Sequence, residues 1–141
     1  MHLRLELFVN DVQISSEFYI EVLGFQKLKD APNYVVVKNG NVQLGLGAMA
    51  KLPSEHPLRQ KFASERKGIG VEIVLETKEI FDMYQRIQMM NYPIAEPITL
   101  RPWGLTDFRL LDPDGYYLRV TSIPTSTLCS HTKSHKPMSD A

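Results

Sequence analysis

The chain has 141 residues, 43% of them hydrophobic, with 16 Lys+Arg against 16 Asp+Glu and a formal net charge of zero. That length suffices for one compact domain with its own core, and the zero net charge argues against a broad nucleic-acid- or membrane-binding surface. No apolar run approaches the roughly 20 residues of a membrane span, and the single cysteine, Cys129, leaves no internal disulfide framework and fits a reducing, cytoplasmic setting.

The start, MHLRLELFVND, alternates instead of carrying a basic and then a continuous apolar stretch, so it does not read as a signal peptide. Leu3, Leu5, Leu7 and Val9 fall on one face, Arg4, Glu6 and Phe8 on the other, which predicts a half-buried strand. Asn10 and Gln13 suggest a capping box. Ile14, Phe18, Tyr19, Val22 and Leu23 make a helical stripe that ends at Gly24, a residue suited to a left-handed helix terminus. Strands are expected around Phe25–Lys29, Tyr34–Lys38 and Val42–Leu46, the last two joined by the hairpin dipeptide Asn39-Gly40. Residues 48–68, with Pro53, Pro57 and a charged run, read as a linker with a turn or two of helix near Leu58–Glu65.

The second half repeats the order. Val71–Thr77 predicts a strand, and Ile80, Met83, Tyr84, Ile87 and Met90 a helical stripe stopped by Asn91-Tyr92-Pro93. Strands follow near Ile94–Glu96, Thr106–Leu111 and Tyr116–Thr121, the last two joined across Asp112-Pro113-Asp114-Gly115. Each half is therefore β-α-β-β-β. The expected domain spans residues 1–122, with modules at 3–47 and 69–122, and a polar tail occupies 123–141.

No Gly-rich phosphate loop, GxSxG elbow or HExxH motif is present. His56, beside Pro57, reads as solvated. His131 and His135 have the spacing of two ligands on one helix face but sit in the Ser/Thr/Lys-rich tail, and His2 and Cys129 have no motif around them. By the period-2 rule Glu6 and Phe8 share a face with Arg4, and Glu76 with Glu72; Tyr117 and Thr121 share one with Arg119, while Tyr116 points the other way, into the core. Trp103, the single tryptophan, lies in the loop Pro102-Trp103-Gly104, where an indole can stack on a ligand or pack on the sheet rim.

The segments FVNDVQISSEFYIEVLGF, GIGVEIVLETKEIFDMYQRI and RPWGLTDFRLLDPDGYYLRVTS, set in a tandem βαβββ order, resemble the vicinal oxygen chelate superfamily. That group includes glyoxalase I, extradiol dioxygenases, fosfomycin-resistance enzymes and bleomycin-resistance proteins. The resemblance implies an α+β fold in which tandem βαβββ modules form a curved mixed sheet around a cleft, with helices on the outer face. Metal-binding members carry one ligand on each of four strands, usually His or Gln, Glu, His and Glu. Carried onto this chain, those positions hold Arg4, Gln43, Glu72 and Arg119.

A divalent metal wants imidazole, carboxylate or thiolate lone pairs, whereas arginine is a permanent cation with no acceptor. The four positions read better as a polar network, with Arg4 and Arg119 flanking Glu72 and Gln43 supplying both donor and acceptor. Such a cluster, if buried, must be paired; it can tie the modules together, leave guanidinium donors for a ligand, or do both. The resemblance then implies a protein without metal or cofactor that binds, and sequesters, a planar polar small molecule, as bleomycin-resistance proteins do. Its expected ligand-binding residues are Arg4, Glu6, Phe8, Gln43, Glu72, Trp103, Tyr117 and Arg119. The neutral charge departs from the acidic surface of members that bind cationic drugs. The alternatives are a metal-dependent lyase, isomerase or dioxygenase with ligands such as Glu6, Glu72 and a loop histidine, and a metal-free enzyme with Glu72 or Glu6 as general base and Arg119 polarising a carbonyl. A homodimer is expected, with neither nucleic acid nor membrane as partner.

Overall fold

Residues 1–62 and 64–124, the part described by the computed structural model, form two four-stranded mixed sheets, one from each half of the chain. The first contains β1 (Leu5–Val9), β2 (Gln26–Ala31), β3 (Tyr34–Asn39) and β4 (Val42–Ala48) in the order β1-β4-β3-β2. The second contains β5 (Glu72–Thr77), β6 (Glu96–Leu100), β7 (Thr106–Leu111) and β8 (Tyr117–Ser122) in the order β5-β8-β7-β6. In each, the first and last strands run parallel and the other pairs antiparallel. With α1 (Val12–Glu17) and α2 (Ile80–Met89) after the first strand of each half, the architecture is α+β and βαβββ twice over. The tandem βαβββ mixed-sheet fold expected is present as two four-stranded sheets, with no strand pairing between them among the described residues. Cys129, His131 and His135 lie outside the described residues.

Several local expectations shift for physical reasons. The helix cap is Asp11, not Asn10: its Oδ1 accepts from the backbone N–H groups of Gln13 (2.9 Å) and Ile14 (3.1 Å). From that start Val12, Ser15 and Ser16 face inward and Ile14 is left 54% exposed. The chain then widens into a π-turn over Phe18–Val22, whose extra residue keeps Phe18, Tyr19 and Val22 on the core. The linker forms turns and a short 3₁₀ segment, Met49–Lys51, where helix was expected near Leu58–Glu65. β6 begins at Glu96, later than expected. It accommodates Pro97 because it is an edge strand, with an irregular register between Glu96 and Thr99.

One core joins the halves. Leu7, Val9, Val35, Val37, Leu44 and Leu46 meet Ile73, Phe108, Leu110, Leu118 and Val120, with Phe18, Tyr19, Ile80 and Ile87 from the helical segments. Polar contacts fasten the same seam. The Tyr19 hydroxyl donates to Asp112 Oδ2 (2.7 Å), Asn10 N–H to Asp114 Oδ1 (2.7 Å), and the Tyr116 hydroxyl to the Phe8 carbonyl (2.8 Å). Tyr116 thus packs against the core as expected but also bridges the modules. Burial, then Asp112, pushes the Tyr116 phenol up to about 12. The same causes push Tyr92, whose hydroxyl donates to the Leu111 carbonyl, to about 12. Burial first, and then Asp112, raises Tyr19 well above its ordinary value.

Candidate functional site on the two open sheet faces

The first open face is built on a glycine shelf. Register places Glu6 opposite Gly45 and Phe8 opposite Gly47, so Arg4, Glu6 and Phe8 share the face of Gln43 and both glycines. A Cβ on Gly45 would overlap the Glu6 carboxylate and the Tyr34 hydroxyl; one on Gly47 would crowd the Phe8 ring at 3.3 Å. Because these two positions are bare, Glu6, Phe8 and Tyr34 lie flat across β4. The Tyr34 hydroxyl donates to Glu6 (2.9 and 3.0 Å), Arg4 Nη2 stands 3.5 Å from the same carboxylate, and Lys29 Nζ lies 5.6 Å above the Tyr34 ring. Burial and then the Glu6 hydrogen bond raise the Tyr34 pKa, so its phenol remains a proton donor. His56 is half-buried with its ring 6.4 Å from Phe8, and its Nδ1 accepts from the Leu58 N–H (3.1 Å), so it is not the freely solvated side chain expected.

The second open face is a ladder of alternating charges. β5, β8 and β7 bring Glu72, Arg119 and Arg109 onto one surface, with Arg109 directly opposite Arg119. Glu72 lies 3.1 Å from Arg119 Nη2 and 3.9 Å from Arg109 Nε. Arg109 Nη1 stands 3.4 Å from Glu96, which Arg101 Nη2 approaches to 2.9 Å; that nitrogen also lies 2.8 Å from Asp107 Oδ1. The Asp107 hydrogen bond raises the Arg101 pKa above its ordinary value. Asp107 is wholly buried, and its Oδ2, with Arg109 Nε and Arg119 Nε, has no hydrogen-bond partner among the described residues.

Between β1 and β5 runs a cleft of about 460 Å³, lined by Leu5–Phe8, by Val71 and Ile73, by Tyr116 and by linker residues including Leu58, Arg66 and Lys67. Of the eight expected ligand-binding residues only Glu6 and Phe8 line it. Glu72, Tyr117 and Arg119 come together on the second sheet, while Arg4 and Gln43 belong to the first. Arg4 does not flank Glu72: it pairs with Glu6 and is 65% exposed, because the cleft and the linker separate β1 from β5. Trp103 is 60% exposed on the tight turn in which Arg101 N–H donates to the Leu105 carbonyl, and it is not among the cleft-lining residues. Arg109, Glu96, Arg101, Asp107 and Tyr34 were missed from the sequence. Arg109 had a usable signal: once the turn at Asp112–Gly115 pairs Leu111 with Tyr117, Arg109 must lie opposite Arg119.

The superfamily's metal does not fit these donors. Of the four residues that the resemblance puts at ligand positions, Arg4 and Arg119 are permanent cations without a lone pair to offer, and the Glu72 carboxylate is engaged by guanidinium groups. The described residues also hold no group of three His, Cys, Asp or Glu able to bind a metal. Among them, no helix is long and apolar enough to cross a membrane.

The fold has many solved counterparts. TioX from Micromonospora sp. ML1 aligns with a TM-score of 0.69 at 17% identity, covering 86% of this chain and 98% of that one. A glyoxalase/bleomycin resistance protein/dioxygenase from Nocardioides aligns at 0.71 and 21% identity, covering 88% and 83%. A lactoylglutathione lyase from Agrobacterium tumefaciens aligns at 0.64 and 19%, covering 85% and 92%. At such identities the likeness is one of fold. No curated protein matches the sequence. The model of the Glyoxalase/Bleomycin resistance protein/Dioxygenase superfamily matches residues 2–120, and with the paired βαβββ sheets this places the chain in that superfamily.

Proposed function

We propose that this chain is a metal-free small-molecule-binding protein that sequesters a planar, polar compound without altering it, in the manner of bleomycin-resistance proteins. One observation carries the reading. At the ligand positions of the superfamily's metal-binding members the chain has Arg4, Gln43, Glu72 and Arg119, and Glu72 is ion-paired to Arg119 at 3.1 Å. The cleft of about 460 Å³ adds support, since ligand pockets run from roughly 300 to 1,000 Å³. Its wall combines the Phe8 ring with the Glu6 carboxylate, apolar area beside an orienting polar group.

The Glu6–Tyr34 hydrogen bond favours a second reading, a metal-free enzyme in which Glu6 accepts a proton and Tyr34 supplies one. Incubation with a library of aromatic metabolites and antibiotics, read by calorimetry and by mass spectrometry of the recovered compound, separates the two. Sequestration gives 1:1 binding with the compound unchanged; product in excess of protein means catalysis; no saturable binding removes both. We further propose a cytoplasmic homodimer. The open sheet faces and the exposed Leu100 and Trp103 supply surface for a second copy. Light scattering should exceed the 16.1 kDa of one chain, and a monomer mass would reject the dimer.

A further inference from the structure

Resting on the binding reading above, we propose that Arg109 and Arg119 form a receptor for a carboxylate, and that the second sheet takes a planar aromatic carboxylic acid. β7 and β8 hold the two arginines directly opposite one another on one face. Like charges so placed repel, and an anion between them relieves that repulsion. Glu72 is an incomplete one. It reaches hydrogen-bond distance from Arg119 (3.1 Å) but not from Arg109 (3.9 Å), and Nε of both arginines is buried without a partner among the described residues. Glu96 stands 3.4 Å from Arg109 while Arg101 holds it at 2.9 Å, and a Tyr117 hydrogen bond also reaches Arg109, yet neither reaches the two Nε atoms.

Each guanidinium offers about five N–H donors, and a carboxylate accepts about four bonds. Across the ladder three guanidinium groups meet three carboxylates, so charge is balanced and the surplus is of N–H donors, in a planar fork that matches a carboxylate better than a neutral carbonyl. The group is partly reachable: the side chains of Arg109, Arg119 and Glu72 are 21%, 26% and 33% exposed, and since both Nε atoms are buried a ligand meets the outer edge of each guanidinium. Beside them Val74 and Leu111, on the same face by register, show 41% and 37% of their surface to solvent. A flat apolar body attached to the carboxylate would cover both. Glu72 then competes with the ligand acid from within the chain.

The test is titration of the full chain with 2-naphthoate and with its neutral isostere 2-naphthamide, by calorimetry and by NMR of the arginine Nε–H signals. The acid should bind at least about tenfold more tightly than the amide, the gain expected of a charge-assisted hydrogen bond, and should shift the Arg109 and Arg119 signals. The preference should vanish in Arg119→Gln, and Glu72→Gln should tighten naphthoate binding several-fold by removing the internal competitor. Equal affinities for acid and amide in the unaltered chain overturn the proposal, as does absence of naphthoate binding at millimolar concentration, or weaker binding in a folded Glu72→Gln. Naphthoate that shifts only the Leu5–Phe8 and linker signals also overturns it, while leaving the small-molecule reading in place. That broader reading fails separately, if neutral and cationic compounds give no binding either.

Discussion

Glu72 faces two arginines from β7 and β8, and how well water screens it sets what the contact contributes. If the cluster were fully buried, breaking one pair would cost about 3–5 kcal/mol. The side chains of Glu72 and Arg119 are 33% and 26% exposed, so a smaller value applies, between exposed and buried pairs, about 1–2 kcal/mol. Arg119→Ala should destabilise by that amount in urea titrations. The double change with Glu72→Ala should cost at least about 0.5 kcal/mol less than the sum of the singles, and additive effects would show that the two do not interact. The Glu72–Arg119 pair was legible because both residues lie on strands whose parity is plain in the sequence. The Arg4 partner was not. Parity puts Arg4 on the correct face, but it says nothing of the separation between β1 and β5, and Glu6 on the same strand is nearer.

At the scale of elements, the strand Leu44-Gly45-Leu46-Gly47 shows how absent side chains create a site. Leu44 and Leu46 fill the core, and the alternate glycines leave the opposite face bare for Glu6, Phe8 and Tyr34. Gly45→Ala should barely affect stability, because the groups it meets are the ends of flexible side chains. It should part Tyr34 from Glu6 and lower the Tyr34 pKa toward its ordinary value, measurable as phenolate absorbance against Tyr34→Phe. An unchanged titration would mean that the shelf does not hold the pair. The hairpin strand Thr106–Leu111 matches its expected bounds because a strong turn fixes one end. β6 and the first helix moved because their limits depend on context: an edge strand's tolerance of Pro97, and a carboxylate cap at Asp11 followed by a π-turn that periodicity alone does not announce.

For the whole molecule, partly or wholly buried tyrosine hydroxyls, those of Tyr19 and Tyr116 on the seam between the modules and that of Tyr92 within the second, make stability depend on alkaline pH. Tyr92 and Tyr116 ionise near 12 in the folded chain and near about 10 when unfolded. Above about pH 10 the unfolded chain therefore holds fewer protons than the folded one, and stability falls as pH rises. The contribution is fully present below about 10 and is lost toward 12; Tyr19, also raised, acts in the same direction. The urea midpoint should drop between pH 9 and 11, and less steeply in Tyr116→Phe; identical slopes in the two proteins would contradict this role for Tyr116. The proposed function depends on a different property of the whole chain, the arginines at the positions that the resemblance assigns to metal ligands. Elemental analysis of the protein purified without an affinity tag, followed by calorimetric titration with zinc, nickel, manganese and ferrous ions, bears on it most directly. The expected result is far less than one metal per chain and no saturable uptake that depends on Glu72 or Gln43. Near-equimolar metal lost on Glu72→Gln would contradict it.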